Sequence, residues 1–512
     1  MQSEPATWPL KKWIALYIVI AAVYLLTASG RIGGTDSLAM FNVTQSLVTQ
    51  HNFSADPCEP SPKSNHCVPG VDGRNYAGFG LAPSIVAIPG YIAGAVSASV
   101  LHRDLHILGG LSLSIYHALF CATLPLLLAA WMLQIGISPP GASFAALVFA
   151  FASPAWGFSK GFCSEPYFAF GLLACCYFLV KNDRWTYLVL AGFSFGFACA
   201  SRIYGVVLAP VVMMYGWLVW RSRKAGTVRL VRNVCWVFAP VGVVFLLIAL
   251  SNQLRFGSVA KTGYQLRYAS TAELFSTPLL EGMAGLLMDF EVGLLIFVPW
   301  ILIIPFIWKR PWNEHRSEAC LLLGMSLVNY FFFAKYQAWH GGWSIGPRML
   351  NGVVPFLLLP LAVLFQEGFS SLKSKTGKVA AALIGLTLLI ELVMLPYPGA
   401  SRYYTMETFN LQHGIHAWWS GKPLLEAVSV LPAVFAGESQ SAGDLAQQYL
   451  LTFPNSVNLV RADLWLIKAP LFGIPVVIPC SLAVILAVAF VWAGLIFLDP
   501  SGARRDSELR RE

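Results

Sequence analysis

Two carboxylates stand beside apolar runs, where a charge is costly. Asp36 closes Arg31-Ile-Gly-Gly-Thr-Asp36 just beyond the apolar run 13–30. Glu165 closes Lys160-Gly-Phe-Cys-Ser-Glu165, ahead of Pro166 and another apolar run. In a chain only 12% charged, acids at membrane boundaries point to chemistry at an interface, and a carboxylate so placed can take a proton from a hydroxyl. Each also has a plain structural reading. Thr35 or Asp36 would cap an amphipathic helix over 38–48, and Glu165 beside Pro166 suits a first helical turn. Lys160 is either an ion-pair partner for Glu165 or a cation for a phosphate.

The segment Lys335-Tyr-Gln-Ala-Trp-His-Gly-Gly-Trp-Ser-Ile-Gly-Pro-Arg348 offers rings that stack on sugar faces, glycines that admit a ligand close to the backbone, and an arginine fork for phosphate. Its plain reading is an interfacial turn with aromatic anchors. Arg202 either snorkels to lipid phosphate or holds a lipid-linked phosphate, and Arg255, Lys261, Tyr264 and Arg267 pose the same choice. Asp289 and Glu291 read as helix-terminal charges. No zinc-ligand spacing, nucleotide-binding glycine loop or G-x-S-x-G elbow occurs. An external active site would therefore draw its activated donor through the membrane on a lipid. Cys58 and Cys67 flank a polar stretch of the first loop. In an oxidising compartment they would pair as a disulfide; two free thiols, or a metal site with His66, are the alternatives.

The elements that position these groups follow from composition. The 512 residues are 57% hydrophobic, and their apolar runs do not alternate as barrel strands do, which leaves helices as the spanning structure. We expect an all-α polytopic membrane protein with about twelve transmembrane helices (eleven to thirteen), near 13–30, 107–133, 142–158, 166–181, 186–200, 204–220, 234–252, 285–307, 318–334, 347–366, 379–397 and 472–498. The net charge of +9 resides in short loops, the signature of cytoplasmic orientation rather than of nucleic-acid binding. Both termini are then cytoplasmic, and the first run is a retained signal anchor. Proline and glycine within 81–101 argue for a juxtamembrane or re-entrant helix there. The expected organisation is a membrane-embedded catalytic module over 1–397 with a first external loop at 31–80, an external loop or small cap at 398–471, and a last span with a basic tail at 472–512.

The order of these motifs resembles the C-type, membrane-embedded glycosyltransferases that use polyprenyl-phosphate sugars, such as the protein O-mannosyltransferases and the lipid A aminoarabinose transferase. The shared features are Thr35-Asp36-Ser37 after the first span, Gly73-Arg-Asn-Tyr-Ala-Gly-Phe-Gly80, Ser159-Lys160 to Glu165-Pro166, and Trp339-His-Gly-Gly-Trp343 to Arg348. The resemblance implies a transferase of the bacterial inner membrane that acts on the external face. It would move a sugar from a polyprenyl-phosphate donor to an acceptor hydroxyl on lipid, glycan or protein by inverting single displacement. It makes Asp36 the catalytic base and Glu165 the second acid. We further expect Lys160, Arg202 and Arg348 to bind the donor phosphate and Tyr76, Tyr264, His340 and Trp343 to line the sugar pocket. Where the family often has paired acids in its first loop, Ser37 follows Asp36 here; a divalent cation, if used, would fall to Asp36 and Glu165. The expected partners are the lipid-linked sugar and membrane lipids. The competing readings are a secondary transporter and a lipid-linked glycan flippase or ligase. A transporter would show related halves and midplane polar sites; here no repeat is visible and the polar residues favour one boundary.

Overall fold

The computed structural model describes residues 8–32, 34–58, 67–181, 184–267, 270–341, 346–396, 463–468 and 474–498. Every apolar run contains helix. Among the described residues seven helices are long and apolar enough to cross a membrane: Leu10–Thr27, Leu105–Gln134, Ile203–Ser222, Thr227–Phe256, Arg316–Lys335, Lys375–Met394 and Val477–Leu498. The other expected spans are shorter helices, among them Pro139–Phe151, Glu165–Lys181, Trp185–Ser201 and Leu279–Met288. The chain is an all-α polytopic membrane protein, and seven of its helices among the described residues have the full length and apolarity of a span.

Proline accounts for two of the shortened runs. The run expected at 285–307 breaks into Leu279–Met288, Leu294–Phe297, a 3-10 turn Pro299–Ile303 and Ile304–Ile307. Val298, just before Pro299, is forced off helical geometry to φ −135°, ψ 57°, because the proline ring clashes with a helical predecessor. The run at 347–366 breaks likewise, into a 3-10 turn Arg348–Val353 followed by Val354–Leu357 and Leu359–Leu364, with Pro355 and Pro360 in the first turns. Several of the turns between helices are tied to one another by hydrogen bonds. Arg223 donates to the Val180 carbonyl, Arg310 to the Val363 carbonyl at 3.4 Å, and Ser138 to the Gln366 carbonyl at 2.6 Å.

The first polar loop is built rather than loose. Helix Thr35–Thr49 buries Ala39, Met40, Phe41 and Val43 in a cluster with Phe79, Tyr91, Leu113, Phe162 and Tyr167. Fully burying a side chain such as that of Phe41 contributes about 1.5–3 kcal/mol. The loop also holds strands, which an all-helical expectation did not include. Cys67–Pro69 pairs antiparallel with Asn75–Ala77, and the Cys58–Cys67 disulfide, Cα–Cα 6.2 Å, ties this hairpin to the chain that precedes it. The apolar stretch 81–101 forms Ala82–Val86 and Ile88–Leu101, which folds back on Leu105–Cys121. The two helices touch backbone to backbone at Gly94, where a Cβ would stand 2.6 Å from the Gly109 Cα. Gly94→Val should therefore lower the melting temperature of the purified protein by an overpacking cost of about 1–3 kcal/mol; an unchanged melting curve would show that the contact is not tight.

The described part of the stretch expected as a cap is the short segment 463–468, which contains helix Trp465–Lys468. It lies against the end of the first helix, with the Trp465 amide donating to the Ala28 carbonyl at 2.8 Å. The rest of 398–471 falls outside the described residues.

Candidate active site

Asp36 and Glu165 come together because their segments are pinned to each other. The Ser29 amide donates to the Lys160 carbonyl at 2.9 Å, the Ser29 hydroxyl to the same oxygen at 3.0 Å, and the Ser37 hydroxyl to the Phe162 carbonyl. Helix Thr35–Thr49 opens on Gly34, which supplies no side-chain cap, and Asp36 stands in its first turn. Glu165 is the first residue of Glu165–Lys181.

Arg348 joins the two acids. Its Nη2 donates to Asp36 Oδ2 at 2.7 Å, and its Nε donates to Glu165 Oε1. A second guanidinium, that of Arg202, also donates to Glu165 Oε1, and its Nε donates to the Ser164 hydroxyl at 3.0 Å. Arg202 stands at the C-terminal cap of Trp185–Ser201. Arg348 is aimed by its loop. Gly341 and Gly346 sit at φ +76° and +84°, a left-handed geometry that glycine adopts without penalty. Gly346 donates to the Glu291 carbonyl at 2.8 Å, and Arg348 Nη1 donates to the Gly341 carbonyl at 3.2 Å. Asp289 accepts from the amides of Glu291 and Val292 at 2.7 and 3.2 Å, which fits its reading as a terminal charge.

The acids are not equivalent. The Glu165 side chain is 1% exposed and that of Asp36 is 20% exposed. Burial alone would push the Glu165 carboxyl up, but the guanidinium groups of Arg202 and Arg348 outweigh it and hold the carboxyl below the usual carboxylate range. Glu165 is thus a fixed anion, and Asp36 is the acid that a substrate can reach. Because the folded value lies below the unfolded one, this linkage stabilises the fold above about pH 4.3 and disappears as pH falls through the lower folded value. The stability difference between wild type and Glu165→Gln should narrow over that acid range in thermal melts; a constant gap would refute the linkage.

The other expected site residues divide. Tyr264 lies close enough to Arg202 to interact with its charge and packs edge-on against Phe79. His340 is half-buried beside Trp339. Tyr76 belongs to the hairpin. Its hydroxyl donates to Asp72 at 2.8 Å, its ring meets Phe256, and burial together with the Asp72 bond raises its phenol to about 12. Trp343 lies outside the described residues. Lys160 is not ion-paired within the Asp36–Glu165 network; it pairs with Asp463 at 3.0 Å. Asp463 was not singled out in the sequence, and its only signal there is an acid close to Trp465 and the last apolar run.

The donor set does not fit a resident divalent cation. A guanidinium already stands between the two carboxylates, and among the described residues no group of three His, Cys, Asp or Glu side chains gathers.

No protein-family model and no curated protein matches the chain. Among solved structures it is similar to ArnT from Cupriavidus metallidurans. The form bound to undecaprenyl phosphate shows 14% identity over 95% of this chain and 77% of that one, with a TM-score of 0.45. The apo form shows 13% identity over the same shares, with a TM-score of 0.46. The chain is also similar to the archaeal oligosaccharyltransferase AglB from Archaeoglobus fulgidus, in complex with an inhibitory peptide and a dolichol-phosphate, at 12% identity over 83% of this chain and 54% of that one, with a TM-score of 0.45. Overlaps this loose carry no inference about substrate or mechanism.

Proposed function

We propose that this protein is a membrane glycosyltransferase that moves a sugar from a polyprenyl-phosphate donor to an acceptor hydroxyl at the external face, by inverting single displacement. One observation carries the reading: two acids from distant parts of the chain, each beside an apolar run, meet on one arginine, with a second arginine beside them. The order of the sequence motifs supports it.

Asp36, the more accessible acid, takes the acceptor's proton while the acceptor oxygen attacks the anomeric carbon. The bond from that carbon to the phosphate oxygen breaks, and its electron pair leaves with the lipid phosphate. Arg348 and Arg202 stabilise the charge that the phosphate gains. A carboxylate in an ion pair is a weaker base than a free one. An arriving phosphate that draws Arg348 away from Asp36 would therefore activate the base as the donor binds. Glu165 keeps the two guanidinium groups oriented, and Tyr264 and His340 are the described candidates for the sugar pocket, with Trp343.

The direct test is incubation of the purified protein with defined polyprenyl-phosphate sugars and acceptors, with released lipid phosphate as the readout. Acceptor-dependent release supports the assignment. No release from any donor, with the protein folded, overturns it.

A further inference from the structure

Four helix ends meet around the start of Thr227–Phe256. Arg223, just past the end of Ile203–Ser222, donates to the Val180 carbonyl near the end of Glu165–Lys181. Trp185, which opens Trp185–Ser201, lies 5.8 Å from Trp236 between ring centroids. The two turns brought together in this way, 181–185 and 221–232, carry Lys181, Arg184, Arg221, Arg223, Lys224, Arg229 and Arg232 against a single acid, Asp183. Thr227–Phe256 has 30 residues, so it is about 45 Å long and exceeds a hydrocarbon core of about 30 Å. Residues 233–254 carry no charge. Arg229 and Arg232 therefore stand where the apolar part of the helix begins.

Arg229 and Arg232, one helical turn apart, line an open recess with Gly226, Thr227 and Val228. Arg232 is exposed, and among the described residues its side chain enters no ion pair or hydrogen bond. Lys224 is exposed in the same way, and Arg221 stands 5.4 Å over the ring of the exposed Trp217. Beyond Arg232 the exposed face of the helix continues at helical spacing through Trp236, Val243, Leu247 and Leu250.

We infer that this end of the molecule binds an anionic phospholipid, with the headgroup phosphate on Arg232 and Arg229 and an acyl chain along that apolar face. A guanidinium offers a phosphate two parallel donors, and basic side chains at the edge of a spanning helix attract anionic headgroups. Trp185, Trp217 and Trp236 are exposed here, and tryptophan favours the headgroup level of a bilayer. A cationic head above an apolar stripe matches both parts of such a lipid, whereas a free phosphate would use the head alone. The alternative is a set of cations that orients the chain in the membrane without holding a lipid. In that case this basic end would behave like any other. The inference is independent of the glycosyltransferase reading.

The test is titration of the purified full-length protein in nonionic detergent with dioleoylphosphatidylglycerol, dioleoylphosphatidylcholine or glycerol phosphate, read by native mass spectrometry and thermal melting. The proteins compared are wild type, Arg232→Gln, Arg229→Gln with Arg232→Gln, and Lys375→Gln with Lys378→Gln. The last removes an exposed basic pair of the same spacing from the start of Lys375–Met394. Wild type should bind phosphatidylglycerol more tightly than phosphatidylcholine and melt higher in it. Loss of both arginines should weaken phosphatidylglycerol binding about 30-fold and remove the melting preference, as expected for two cations beside one headgroup. Loss of the lysine pair should change neither. If the double arginine variant does not fold, Arg232→Gln alone makes the same comparison at an exposed position, with a loss of about fivefold. Equal wild-type affinity for the two lipids, an equal loss in the lysine pair, or glycerol phosphate binding as tightly as the lipid would overturn the site. Both readouts are taken without sugar transfer, so failure here is distinct from failure of the proposed activity.

Discussion

Asp36→Asn is expected to reach the membrane and fold as the wild type does, yet to transfer sugar about 10²–10⁴-fold more slowly, the usual contribution of a positioned base. The amide matches the carboxylate in size but cannot accept the acceptor's proton. Arg348 would still hold Glu165, so the local structure survives the change. Glu165→Gln should act differently. Glu165 is buried and gripped by two guanidinium groups, so its loss should fall first on stability and on the aim of Arg348. The measurement is single-turnover transfer in vesicles loaded with the lipid-linked sugar, with donor affinity determined separately. Near-normal turnover in Asp36→Asn would remove Asp36 as the base.

Arg348→Ala should have the other large effect, on two readouts at once. It deletes the group that bridges Asp36 and Glu165 and leaves a buried carboxylate with fewer partners. Breaking a buried pair in this way costs about 3–5 kcal/mol; the remaining Arg202–Glu165 pair should keep the loss toward the lower end. Donor binding should weaken as well, since Arg348 is one of the two cations assigned to the phosphate. Arg348→Lys should rescue little, because an ammonium is a point charge and cannot reach two carboxylates with the fork that the guanidinium uses. Melting temperature and donor affinity together check this. An Arg348→Ala protein with unchanged donor affinity would withdraw the phosphate role, and one with unchanged stability would withdraw the bridging role.

The spanning helices and the four charged members of the site could be read from the chain itself. Long apolar stretches must satisfy their backbone groups internally, so they become helices whatever they pack against. Asp36, Glu165, Arg202 and Arg348 announced themselves as charges beside such stretches, where few charges are tolerated. The proline breaks at Pro299 and Pro355 were visible as residues, but the chain reads equally well as a straight apolar run until the backbone geometry is known. The hairpin at Cys67–Ala77 is too short to give a periodic signal.

What the linear chain determined was the inventory: a polytopic helical protein with acids and guanidinium groups beside its apolar runs. What the tertiary structure alone decided was the pairing. Lys160 and Glu165 are near neighbours in the sequence, yet Lys160 pairs with Asp463 while Glu165 is held by arginines from two other helix ends. Charges at mostly buried positions pair with whatever opposite charge the packing brings within hydrogen-bonding reach, and that is set by the side-by-side course of the segments after the first helix and before Glu165. No local spacing encodes that course.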